Sequence, residues 1–185
     1  TGSFNVLKVD NNCSVSVDDN IYGKDITVTV RATADGEYIV KINSTTVTVN
    51  VVDGVGSETV ELGAGYYTAN VTSASANYNN NATNDTFTIE KAQSNVKIVD
   101  MGDVPWNTTK NIRFCDFYPA EYVVTIYDSG NNRVYYDLTN SLMFTVPILD
   151  AGQYKLKVTN IGNDNVLLSQ DSCIFEVVKE NHVEV

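Results

Sequence analysis

Leu149-Asp150-Ala151-Gly152-Gln153-Tyr154 and, earlier in the chain, Leu62-Gly63-Ala64-Gly65-Tyr66-Tyr67 are the stretches on which the fold turns. Each sets a tyrosine two residues after a glycine, at the point where an alternating apolar run begins. A phenol placed there reaches back over the turn, caps a backbone group and pins the crossover between two sheets. Tyr154 takes that role in one copy and Tyr67 in the other. Gly63 stands where the second copy has Asp150, so the first corner is expected to lack one anchoring carboxylate.

Working outward, the two strings prove to be part of a longer repeat. Lys24-Asp25-Ile26 matches Lys110-Asn111-Ile112, and Tyr38-Ile39-Val40-Lys41-Ile42 matches Tyr122-Val123-Val124-Thr125-Ile126. Val71-Thr72 matches Val158-Thr159. A third signature, Phe-x-Val/Ile-x-Lys, occurs at Phe4–Lys8, Phe87–Lys91 and Phe175–Lys179. Matches kept in one order at nearly one offset mark a duplicated unit. The boundaries read as 1–91 and 92–185, with a short linker at Ala92-Gln93-Ser94-Asn95. Residues 1–8 resemble the end of a preceding repeat, and residues 180–185 the start of a following one.

Composition says what each unit is made of. Val occurs 27 times and Thr 19 times in 185 residues, and both prefer the pleated, half-buried strand surface. Ile26-Thr27-Val28-Thr29-Val30 and Val47-Thr48-Val49-Asn50-Val51 alternate with period two, and no helical apolar stripe holds for three turns. Seven strands are expected in each repeat. In the first they cover about 13–17, 25–32, 37–43, 46–52, 57–62, 66–73 and 84–90. In the second they cover about 95–101, 110–116, 121–127, 132–138, 142–147, 153–160 and 172–179. Turn signals at Asp35-Gly36, Asp53-Gly54, Gly130-Asn131-Asn132 and Gly162-Asn163-Asp164 separate them. The expectation is an all-β chain of two tandem antiparallel sandwiches of immunoglobulin type. Ala69 and Leu156 occupy the positions of the cysteine that follows the corner in an antibody domain, so that cross-sheet disulfide is missing.

Charge narrows the function. Acidic groups outnumber basic ones 23 to 12, for a net charge of −11. A nucleic-acid binder presents a basic stripe, and a surface that seeks anionic lipid presents a basic patch; this chain offers neither. No apolar run is long enough to span a membrane as a helix, and no secretory signal is visible. The opening at Thr1 without Met suggests a piece of something longer.

Lys24-Asp25-Ile26-Thr27-Val28-Thr29-Val30, Tyr38-Ile39-Val40-Lys41-Ile42-Asn43, Ala64-Gly65-Tyr66-Tyr67-Thr68-Ala69-Asn70-Val71-Thr72, Asn77-Tyr78-Asn79 and Phe87-Thr88-Ile89-Glu90-Lys91 follow one another in the first repeat. That succession resembles the Ig-like repeats of adhesin-like cell-surface proteins of methanogenic archaea. The second repeat is similar more loosely, with Ile161-Gly162-Asn163-Asp164-Asn165 where the family often has a Gly-Asp-Asp-Asn loop. The resemblance carries no catalytic residue. It implies an extracellular, surface-exposed array that mediates attachment, as stalk or as binding module. Its partners would be another cell-surface protein or a glycan, together with neighbouring repeats of the same chain. It also implies an anaerobic habitat, which tolerates free thiols outside the cell.

Candidate chemistry is sparse. Six Asn-x-Ser/Thr sequons occur, at Asn12, Asn43, Asn70, Asn81, Asn84 and Asn107; each is an acceptor only if exposed on a secreted chain. Cys13, Cys115 and Cys173 make an odd count and read as free thiols. A Cys115–Cys173 bridge would need Cα atoms within about 7 Å, across strands that usually belong to opposite sheets. Asp18-Asp19-Asn20 and Asn163-Asp164-Asn165 offer oxygens but not the spacing of a calcium loop, and read as turn residues. His182 is the only histidine, which leaves zinc and a catalytic triad without their parts. A Lys–Asn crosslink would need Lys24 or Lys110 buried beside an Asn and an acid. No cofactor and no metal are expected, and the chain reads as a non-enzyme. The alternative function is a carbohydrate-binding sandwich in which Trp106, Tyr118, Tyr122, Tyr135 and Tyr136 form one exposed aromatic platform.

Overall fold

The computed structural model describes residues 2–179. The chain divides into two compact units, residues 1–91 and 92–185. Every described element is a strand, as the β-branched composition dictates.

In the first unit the strands are β1 (Val9–Val17), β2 (Asn20–Ile21), β3 (Ile26–Ala32), β4 (Gly36–Ile42), β5 (Thr45–Val51), β6 (Val55–Val60), β7 (Gly65–Ser73) and β8 (Tyr78–Glu90). They pair in the order β5-β4-β7-β8-β1-β3-β6. One layer holds β6, β3 and β1, the other β5, β4 and β7, and β8 belongs to both. Period two decides what is buried. Ile26, Val28 and Val30 of β3 point inward, as do Tyr38, Val40 and Ile42 of β4 and Val47, Val49 and Val51 of β5. The β5–β6 turn uses Asp53 (φ 53°) and Gly54 (φ 83°), two left-handed residues in succession, which is the two-residue hairpin that matches strand twist. Gly56 then passes so near β5 that a Cβ there would run into the Asn50 carbonyl group; only glycine fits.

Most pairs are antiparallel, but the first and last long strands of the unit are not. β1 runs parallel to β8 from Val9 opposite Tyr78 to Ser14 opposite Thr83, and β2 resumes the same register with Asn20 opposite Ile89. β8 therefore begins at Tyr78, well before the expected Asn84.

The second unit contains β9 (Ala92–Gln93), β10 (Lys97–Val99), β11 (Val104–Pro105), β12 (Lys110–Cys115), β13 (Tyr122–Asp128), β14 (Arg133–Thr139), β15 (Met143–Val146), β16 (Gly152–Asn160), β17 (Val166–Leu167) and β18 (Ser169–Val178). β10-β12-β15 faces β11-β18-β16-β13-β14 across a separate core. The single strand expected over 95–101 is broken. Asp100 and Gly102 adopt left-handed φ values of 55° and 49°, and the chain changes sheets there, to resume as β11 parallel to β18.

One further expectation is corrected. Ala92–Asn95 is not a free connector. β9 pairs with β17, Ala92 N–H donates to the Asn165 carbonyl at 2.9 Å, and Ala92 and Ser94 are buried. The first Phe-x-Val-x-Lys copy forms no strand: Phe4, Val6 and Leu7 are all more than 80% exposed. Phe87 and Phe175 of the other two copies are buried and stack on Tyr67 and Tyr154 at 5.4 and 5.6 Å. The places beside both corner tyrosines are thus already taken. Residues 180–185, with His182, lie outside the described residues.

Candidate functional site

Both predicted corner tyrosines make the same bond. Tyr67 donates its hydroxyl to the Gly63 carbonyl and Tyr154 donates to the Asp150 carbonyl, each at 2.9 Å. The acceptor is backbone in both units, so the replacement of Asp by Gly63 removes no anchor from the first corner. That part of the sequence reading is corrected.

The densest polar cluster escaped the sequence reading. In the second unit Asp116 follows β12, and its carboxylate accepts from Ser94 Oγ (2.7 Å), Asn160 Nδ2 (2.7 Å), Asn95 N–H (3.0 Å), Tyr118 N–H (3.3 Å) and Tyr122 OH (3.4 Å). Burial alone would raise its pKa. The hydrogen bonds from Asn160, Asn95, Ser94 and Tyr118 outweigh burial and hold it below the usual carboxylate range. Burial, and then the Asp116 charge, push the Tyr122 phenol up to about 12. The first unit builds its counterpart on Tyr38, the match of Tyr122. Asn11, fully buried, donates to Tyr38 OH at 2.8 Å and accepts from Thr33 Oγ1 and Ala34 N–H, while Tyr38 donates to the Ala34 carbonyl at 2.7 Å. No buried side-chain polar atom among the described residues is left unpaired. These clusters tie the entering segment to the loop before the central strand, which is structural chemistry.

The five-ring platform does not form. Tyr122 is fully buried under Phe114, and Tyr135 turns inward against Phe144. Strand alternation is the reason: of the neighbours Tyr135 and Tyr136, only one can face out. Tyr118 is half-buried. Tyr136 and Trp106 remain exposed, at 52% and 47%, each under a cation: Arg133 over Tyr136 at 5.2 Å and Lys179 over Trp106 at 5.0 Å. Tyr136 belongs instead to an apolar row that the sequence reading did not single out, Val134-x-Tyr136-x-Leu138, exposed along the edge strand β14. The same edge of the first unit, β5, shows Thr46, Thr48 and Asn50.

All six sequon asparagines are exposed. Asn70 lies on the outward side of β7, between the buried Ala69 and Val71, and Asn43 sits in the β4–β5 turn with φ 50°. The three cysteines are free thiols: Cys13 buried, Cys173 half-buried and Cys115 exposed. Lys24 is exposed, and Lys110 donates to the Asp103 carbonyl at 3.1 Å, so neither has the buried neighbours a crosslink needs. Asp19 accepts from Thr88 N–H at 2.6 Å, and Asn163 accepts from Asn165 N–H at 2.8 Å. The two acidic loops thus spend these oxygens on backbone. Among the described residues no group of three or more His, Cys, Asp or Glu could hold a metal ion, and no helix is long and apolar enough to cross a membrane.

No protein-family model matches this chain, and no curated protein does. Among solved structures it is similar to the two-domain fibronectin type III segment of chicken tenascin, with 9% identity over 88% of this chain and 97% of that one, at a TM-score of 0.44. It is similar to the CbhA fibronectin(III)-like modules of Clostridium thermocellum, with 12% identity over 92% and 97%, at 0.37. The adhesin InvE of Yersinia pseudotuberculosis shares 12% identity over 89% of this chain and 58% of its own, at 0.41. Likenesses this distant carry no argument for function. The immunoglobulin-type fold stands on strand order and register.

Proposed function

We propose that the chain is a non-enzymatic segment of an extracellular adhesin-like surface protein, serving as stalk or binding module in cell attachment. The observation that carries this reading is the placement of all six sequon asparagines on exposed strands and turns of self-sufficient sandwiches. The resemblance of the first repeat to archaeal adhesin-like proteins supports the same reading. An antibody against the folded chain should stain intact source cells. Staining only after permeabilisation would overturn it.

The apolar row on β14 favours a binding role for the second unit over a purely spacing one. Its partner is another surface protein or a glycan. With Tyr122 and Tyr135 turned inward, the carbohydrate reading depends on Tyr136 alone within that row. Fluorescent chain applied to intact cells should lose its binding on Tyr136→Ser with Leu138→Ser; unchanged binding would assign this segment to the stalk. Competition by soluble glycans separates the two partner classes.

A further inference from the structure

The sequons are not scattered over the surface. Four of the six meet as cross-strand neighbours in the first unit. Asn12 on β1 lies opposite Asn81 on β8 in the parallel register, and Asn70 on β7 lies opposite Asn84 on β8 in the antiparallel one. All four are exposed. Asn81 Nδ2 donates to Asn12 Oδ1 at 3.2 Å, so the two acceptor amides of the first pair already touch. Beside them lies an open groove of about 710 Å³, lined in part by Ser14, Arg31, Thr33 and Thr83. Its hydroxyls and guanidinium match the donors and acceptors of a sugar.

We propose that Asn12 and Asn81 together make one N-glycan attachment site, one asparagine carrying the sugar and the other holding its amide, with the first sugars lying along the groove. Asn70 and Asn84, cross-strand neighbours in the antiparallel register, make a second pair limited by the same crowding. The chain then carries at most four N-glycans, although six sequons are present. In the transfer, Asn Nδ2 attacks the anomeric carbon of a polyprenyl-diphosphate-linked oligosaccharide. The N–C bond forms as the C–O bond to phosphate breaks. Polyprenyl diphosphate leaves with the electron pair, and one Nδ2 proton passes to the transferase. The nitrogen keeps its other hydrogen, so a glycosylated Asn81 still has one to donate to Asn12 Oδ1, and a glycosylated Asn12 keeps the oxygen that accepts from Asn81. The limit acts on folding: neighbouring strands lie about 4.8 Å apart, so a chain substituted on both amides of a pair would crowd two sugars onto adjacent amides, does not close this sheet and is not secreted.

This inference rests on the extracellular reading, since sequons are used only on exported chains. The test imposes export, so the two can fail separately. The variant Asn43→Gln, Asn70→Gln, Asn84→Gln, Asn107→Gln keeps only the first pair. Secreted behind an added leader from cultured animal cells, it should show one glycan per chain by intact mass. Adding Asn12→Gln or Asn81→Gln should leave one glycan on at least one of the two variants. Two glycans per chain, or none, overturns the proposal. If the four-fold variant is not secreted, the wild-type chain serves: five or six glycans on one molecule overturn it, and four or fewer, with the pairs never doubly filled in glycopeptide maps, support it.

Discussion

Removing the Tyr154 hydroxyl deletes one nearly buried hydrogen bond to the Asp150 carbonyl. Tyr154→Phe should lower the stability of the second unit by about 1–2 kcal/mol, read from the urea midpoint; an unchanged midpoint would deprive the corner of its role. That residue was legible because glycine, tyrosine and strand entry lie within five positions of one another. Asp116 was not. Its partners Ser94, Asn95, Tyr118, Tyr122 and Asn160 come from separate segments, and no local pattern announces them. Its folded-state pKa lies below the unfolded value. The stability it contributes is therefore fully present above the ordinary carboxylate range and is lost as pH falls through the folded-state value. Asp116→Asn should destabilise the second unit at neutral pH, and the gap from wild type should shrink on acidification. Parallel urea curves at neutral and strongly acidic pH check this; a gap that is constant or widens contradicts it.

At the scale of elements, β8 is the strand on which the first unit is assembled. Where β1 gives way to β2, side chains replace the backbone ladder: Asp85 Oδ2 accepts from Val17 N–H at 2.8 Å, and Asp19 Oδ1 accepts from Thr88 N–H. Asp85 Oδ1 also accepts from Thr86 N–H at 2.9 Å. Asp85→Ala should cost the first unit about 1–3 kcal/mol and leave the unfolding of the second unit unchanged; equal loss in both units would count against this assignment. The C-terminal half of β8 was legible from Phe87-Thr88-Ile89-Glu90, because its core residues alternate. The half from Tyr78 to Thr83 was not. Asparagine-rich runs are poor strand formers in isolation, and this one is held by partners far away in sequence: Asn80 by Asn11, Asn81 by Asn12 and Asn79 by Asp10. The break of the second unit's first strand at Asp100 was equally hidden, since only a left-handed backbone reveals it.

On the scale of the whole molecule, each unit has a core of its own, and the cysteines report on both. Cys13 is buried in the first core, and Cys173 packs against the second; burial raises the pKa of each thiol and removes the reactive thiolate. A thiol reagent should label the exposed Cys115 at once, Cys173 more slowly and Cys13 only as the first unit unfolds, as mass spectrometry of timed samples would show. Early labelling of Cys13 would mean that the first core is open. The parallel register of β1 and β8 carries a mechanical meaning. A load applied at the two ends of the first unit pulls these strands along their length in opposite directions. Their bonds then share the strain together, instead of opening one after another as a zipper does. In the second unit the corresponding seam, β11 on β18, is two residue pairs long. Under tension in a single-molecule pulling experiment, the first unit should give way at the higher force; the reverse order would show that the seam is not what resists.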